Sequence, residues 1–111
     1  MQRFGYRQVG TARDIEYDAF SRVTRSLQRA QRGEGSLVQA ASSNCELWST
    51  LATDLADDEN ALPAELRASL LSLAIFSIRH GQSVMSGQRT ADALIQVNMS
   101  IMKGLRGEVG V

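Results

Sequence analysis

Cysteine, histidine, proline and lysine each occur once in these 111 residues, and aromatic side chains make up only 5% of them. One cysteine rules out an internal disulfide framework and a multi-cysteine zinc site. One histidine rules out any two-histidine metal motif. No apolar run approaches the ~18 residues a membrane span requires. The start, MQRFGYRQVG, has no hydrophobic signal-peptide core. Neither sign of charge is in excess, because twelve basic residues balance twelve acidic ones. No global field therefore drives the chain onto nucleic acid or anionic lipid. These absences argue against a metalloenzyme, a secreted disulfide scaffold and a membrane protein, and they point to a reducing, cytoplasmic setting.

What is present is a globular composition, 43% apolar, in a length that suits one domain over residues 1–111. β-branched residues never alternate with polar ones over a strand's length, and the apolar period is helical throughout. Helix one is expected from about Ala12 to Gln31, with Ala19, Phe20, Val23, Leu27 and Ala30 on one arc. Gly33-Glu34-Gly35 breaks it. Helix two is expected from about Ser36, a plausible N-cap, to Ala56; Leu37, Ala41, Asn44, Trp48, Leu51 and Leu55 form a narrow seam. Helix three begins near Pro63, and its apolar set covers more than half the circumference: Leu66, Leu70, Leu71, Leu73, Ala74, Ile75, Ile78, Val84 and Met85. Helix four is expected from Thr90, as N-cap, to Leu105. The fold class is therefore all-α: a small single-domain bundle of about four helices, with a short extended N-terminal arm over residues 1–11 and a flexible tail over 106–111.

Charge is segregated although it sums to zero. Residues 1–32 carry seven arginines and three acids, residues 33–66 seven acids and no base, and residues 67–111 five bases and two acids. Arg22, Arg25, Arg29 and Arg32 share one face of helix one. Such a stripe suits an anion or RNA, but no stacking aromatics interleave it, and a solvated face is the preferred reading. Asp57-Asp58-Glu59 lacks the ligand spacing of a calcium loop and reads as a solvated turn. Arg67 falls inside the apolar arc of helix three and is expected to pair with Asp54, Asp57 or Asp58 at the corner after helix two.

The chain has no nucleophile elbow and no phosphate-binding glycine loop. Cys45 reads as a small core residue, and a Cys45–His80 dyad is the weaker alternative. A helical histidine in a small bundle also suggests a histidine-phosphotransfer domain. Those domains set lysine beside the histidine, and the run His80-Gly81-Gln82-Ser83 has none. His80 reads instead as a surface residue beside a small-residue contact at Gly81. No enzyme activity, cofactor or metal is implied. Trp48 is a natural core anchor or binding hot spot.

The run Leu47-Trp48-Ser49-Thr50-Leu51, then Asp54-Leu55, then Asn60-Ala61-Leu62-Pro63 leading into Leu66-Arg67 and Leu70-Leu71-Ser72-Leu73 resembles the FlaF family of alphaproteobacterial flagellar biosynthesis regulators. The similarity spans nearly the whole chain and is strongest from Leu47 to Ile78. The resemblance implies a non-enzymatic role: binding flagellin as a cytoplasmic export chaperone and promoting its synthesis and secretion, in company with FlbT. The alternative is regulation of flagellin mRNA, alone or with FlbT. A bundle with surplus apolar surface can hold a client helix in a groove. The expected partner patch is Leu66, Leu70, Ile78 and Met85 with Trp48 nearby; about half of such apolar residues should prove to be core. The same broad face also suits a homo-oligomer. Asn60 to Pro63 is expected to fix the turn between helices two and three.

Overall fold

A computed structural model describes residues 16–107. They form four helices: α1 (Tyr17–Gln31), α2 (Leu37–Ala56), α3 (Ala64–Met85) and α4 (Asp92–Leu105). No strand occurs among the described residues. The arm expected over residues 1–11 and the last four residues of the expected tail lie outside them. Helix α1 begins at Tyr17 rather than near the expected Ala12, because Glu16 is extended at φ −77°, ψ 107°. Helix α3 packs extensively on α2 and only lightly on α4, while α1 leans on both α2 and α4.

How each helix ends follows from what the chain offers its orphan backbone groups. Four N–H and four C=O groups at the two ends of a helix have no partner within it. The start of α2 is met by Ser36, whose Oγ accepts from the Gln39 amide at 3.1 Å. Helices α1 and α3 end alike. Gly33 and Gly87 sit at φ 82° and 83°, where only glycine is unstrained. That lets the amides of Glu34 and Gln88 fold back onto the carbonyls of Arg29 and Ser83, both at 2.9 Å.

Helix α2 has no such glycine, and side chains take over. Arg67 donates from Nε to the Leu55 carbonyl at 3.1 Å and from Nη2 to the Asp57 carbonyl at 3.3 Å. Asn60 Nδ2 donates to the Asp54 carbonyl at 3.2 Å. Arg67 thus pins the expected corner, but through backbone carbonyls rather than the expected carboxylates. A cation there also faces the negative end of the α2 dipole. Asn60 Oδ1 accepts from the Leu62 amide at 3.0 Å, so the Asn60 to Pro63 segment does fix the turn. Pro63 is the N-cap of α3 rather than its first helical residue.

The start of α4 differs from expectation. Its N-cap is Ala91, and no side chain within α4 or its cap meets the backbone there. Thr90 instead bonds the Asp92 carboxylate at 3.2 Å. The cap comes from α1: Gln31 Oε1 accepts from the Ala91 amide at 2.8 Å, and Gln31 Nε2 donates to Asp92 Oδ1 at 3.2 Å. At the other end of α1, Tyr17 receives a hydrogen bond from Arg106, whose guanidinium also lies over the Tyr17 ring. Arg106, the first residue of the expected tail, is therefore the C-cap of α4 and clasped to α1.

The interior consists of two apolar clusters with a polar level between them. One cluster gathers Phe20, Trp48, Leu51, Leu55, Leu70, Ala74 and Met102; the other gathers Leu27, Ala30, Ala40, Ala41, Val84, Ala91 and Leu94. Between these sets along the chain, each helix contributes one buried polar residue: Thr24, Asn44, Ser77 and Asn98. The Trp48 indole N–H donates to Asn98 Oδ1 at 3.0 Å, and Asn98 Nδ2 donates to Asn44 Oδ1 at 2.8 Å. Phe20 meets Trp48 edge to face, with centroids 5.4 Å apart.

Helices α2 and α3 approach closely where Gly81 meets Cys45. A Cβ built on Gly81 would lie 2.6 Å from Cys45 Sγ, well inside contact distance. The small-residue contact expected at Gly81 is thus present, facing inward while His80 does not.

Two stability outcomes are expected. Asn98→Ala strands the Trp48 N–H and the Asn44 carbonyl, and should lower unfolding free energy by about 3 kcal/mol in urea titration. A loss under about 0.5 kcal/mol would show that the polar level does not bear on stability. Gly81→Ala should lower the melting temperature, since overpacking of ~1–3 kcal/mol exceeds the ~1 kcal/mol helix-propensity gain. In a Cys45→Ala background the same change should raise it, which a double-mutant cycle reads directly.

Candidate functional site

The buried stripe of α3 is Leu70, Ala74, Ser77, Gly81 and Val84, steps of three and four that use one side of the helix. The opposite side carries Ile75, 54% exposed, and Phe76, 42% exposed. These lie in a shallow groove of about 430 Å³, which Ser72, Arg79, His80 and Ser83 of α3 also line. Arg89 enters it from the turn before α4. The lining runs from Ser72 to Ser83, which at 1.5 Å per residue is about 16 Å along the axis.

His80 is fixed within this groove from two directions. Its ring stacks on Phe76 with centroids 5.2 Å apart and 25° between planes. Its Nε2 lies 3.3 Å from the Thr90 carbonyl. Cys45 is held elsewhere, its Sγ directed at the Ile78 carbonyl 3.6 Å away. The thiol and the imidazole thus serve different neighbours and form no dyad. Burial pushes the Cys45 thiol above its ordinary value, the opposite of what a nucleophile needs.

The residues expected to meet a partner divide sharply. Trp48 is 0% exposed and Leu70 7%; both belong to the apolar cluster around Phe20. The indole is committed to Asn98, so neither side chain presents surface in this structure. Ile78 and Met85 are half-buried and pack against the two clusters. Leu66 alone stands out, 40% exposed on the first turn of α3. The pattern alone places the more exposed Ile75 only within the apolar arc and assigns Phe76 no role. The available signal was the width of that arc: a helix apolar over more than half its circumference cannot bury all of it against α2 and a lightly packed α4.

The arginines of α1 are exposed, as expected for a solvated face. Arg25 donates to Ser21 Oγ at 3.0 Å, and Arg32 pairs with Glu34 at 3.6 Å. The Asp57 carboxylate accepts from the Glu59 amide at 2.9 Å, so it closes its own turn. Among the described residues there is no group of three or more His, Cys, Asp or Glu side chains able to hold a metal, and no helix long and apolar enough to cross a membrane.

The family model for flagellar protein FlaF matches residues 4–105, all four helices of the described bundle. The chain belongs to the FlaF family. A search of curated proteins and a search of solved structures find no match. FlaF membership gives the chain a flagellar role, and the motif that carried the resemblance is now explicable in this fold. Within it, Trp48 anchors the core, Asn60 and Pro63 build the corner, and Arg67 caps α2.

The raised Cys45 thiol sets one expectation. Because the unfolded chain releases this proton first, the thiol's contribution to stability is full below the ordinary thiol range and is lost as pH rises from there through the raised native value. Iodoacetamide at pH 8 should alkylate the native protein at least about tenfold more slowly than the urea-unfolded chain. Equal rates would refute a shielded thiol.

Proposed function

We propose that this FlaF protein is a non-enzymatic cytoplasmic chaperone that binds flagellin and promotes its synthesis and secretion for filament assembly. The observation that carries the reading is the outward apolar side of α3. Ile75 and Phe76 lie on the opposite side from the stripe packed into the bundle and line the same shallow groove. Large apolar side chains left exposed side by side on a small protein mark an interaction site. A helical surface of this kind suits an amphipathic client helix, anchored at i, i+3, i+4 and i+7. Chaperoning requires no catalytic group, which accords with a shielded Cys45 and a His80 held by Phe76 and Thr90.

The second reading, action on flagellin mRNA alone or with FlbT, draws on the exposed arginines of α1. It is the weaker one, because α1 sets no aromatic platform beside them for bases to stack on. Calorimetric titration with flagellin monomer tests the first reading. Saturable binding at fixed stoichiometry, lost when one terminal helix of flagellin is deleted, is the expected result. No heat at concentrations well above micromolar would overturn it. Steeply salt-dependent RNA affinity abolished by Arg22→Gln and Arg29→Gln would establish the second instead.

A further inference from the structure

The groove on α3 has a second property besides the exposed side chains of Ile75 and Phe76. The charged side chains lining it, Arg79 and Arg89, are both arginines, and no carboxylate is among the lining residues. The chain has as many acids as bases, so this local one-sidedness is a feature of the groove and not of the protein. Arg79 and His80 come from α3 itself, while Arg89 comes from the turn before α4. Cations therefore edge an apolar strip from two separate elements.

We infer that this groove receives an acidic amphipathic helix, one that sets carboxylates within a turn of its apolar anchors. The inference rests on the chaperone reading for which protein supplies the helix, and it adds where that helix docks and which chemistry selects it. Ile75 and Phe76 give the apolar contact. Arg79 and Arg89 give the guanidinium forks that match carboxylates in bidentate geometry. The lining length of about 16 Å fits three turns of helix, enough for anchors at i, i+4 and i+7 with acids between. Single-stranded RNA is the poorer fit. Ile75, the most exposed apolar side chain there, offers no stacking surface, and Phe76 already has one face stacked with His80.

The test compares the full-length protein with variants at exposed positions, using flagellin monomer as titrant. Ile75→Asp with Phe76→Asp should weaken binding by at least about 30-fold, as loss of a hot spot does. Arg79→Glu with Arg89→Glu should weaken it by at least about tenfold, mainly through slower association. Arg79→Gln with Arg89→Gln should flatten the salt dependence of the wild-type affinity. Arg22→Gln with Arg29→Gln on α1 serves as control and should bind as wild type. All variants should keep the wild-type melting temperature, because these side chains are exposed. If wild type fails to bind flagellin, the chaperone reading falls and this inference with it. If wild type binds and the groove variants bind equally well, the groove assignment alone is overturned. Loss of polyuridine binding, or dissociation of a wild-type dimer, in the groove variants with flagellin affinity intact would likewise overturn it, in favour of RNA or a second copy.

Discussion

Two asparagines and a tryptophan hold this bundle in its particular arrangement. Trp48 and Asn44 belong to α2, and Asn98 to α4. These two helices share few close backbone contacts, and the indole and amide hydrogen bonds join them side chain to side chain. A buried polar group without a partner is costly, whereas an apolar contact tolerates sliding. Shifting α4 by one turn against α2 would keep much of the apolar contact but would separate the indole N–H from its acceptor. The polar level therefore selects one register out of several that hydrophobic burial alone would accept, the role that single buried asparagines have in coiled coils. Once α2 and α4 are set, α1 is determined by its clasps to α4 through Gln31 and Tyr17. Helix α3 is determined by its close approach to α2 at Gly81.

This division of labour leaves α3 as the least enclosed helix. It is bound tightly on one side and lightly on the other, and its outer side projects Ile75 and Phe76. The exposed apolar surface thus arises from topology as much as from composition. Residues of the same chemical type are core on the α2 side and exposed on the side opposite. The chemistry at the helix ends supports this. With Arg67 and Asn60 closing α2 and a glycine turn closing α3, the helix that presents the groove is anchored at both its ends.

The four helices were legible because each carries an apolar arc at helical spacing, and their boundaries were legible wherever local chemistry decides them. Ser36 and the Asn60 to Pro63 turn act on residues two or three positions away, within reach of sequence reasoning. Gln31 caps a helix sixty residues further on, which no local pattern announces, and so α4 was placed to start at Thr90. Asn44 stood visibly in the α2 seam, but Thr24, Ser77 and Asn98 did not, since a small polar residue on an apolar stripe looks the same whether it is buried or marks the stripe's edge. The exposed side of α3 was half legible. The wide arc on α3 announced surplus apolar surface, but a wheel angle cannot say which part the neighbours cover. Trp48 and Leu70 went to the core, and Ile75 and Phe76 to the surface.

The clasps between α1 and α4 carry a consequence for the order in which the chain matures. Gln31 waits for Ala91 and Asp92, and Tyr17 waits for Arg106, the last side chain of the described bundle. A chain emerging from the ribosome can join α2 to α3 early, through their short connection and local corner. It must hold α1 and the indole of Trp48 unsatisfied until α4 is out. Until α4 has emerged, the described bundle cannot close, and α1 and α2 meet without the partner that satisfies the indole between them.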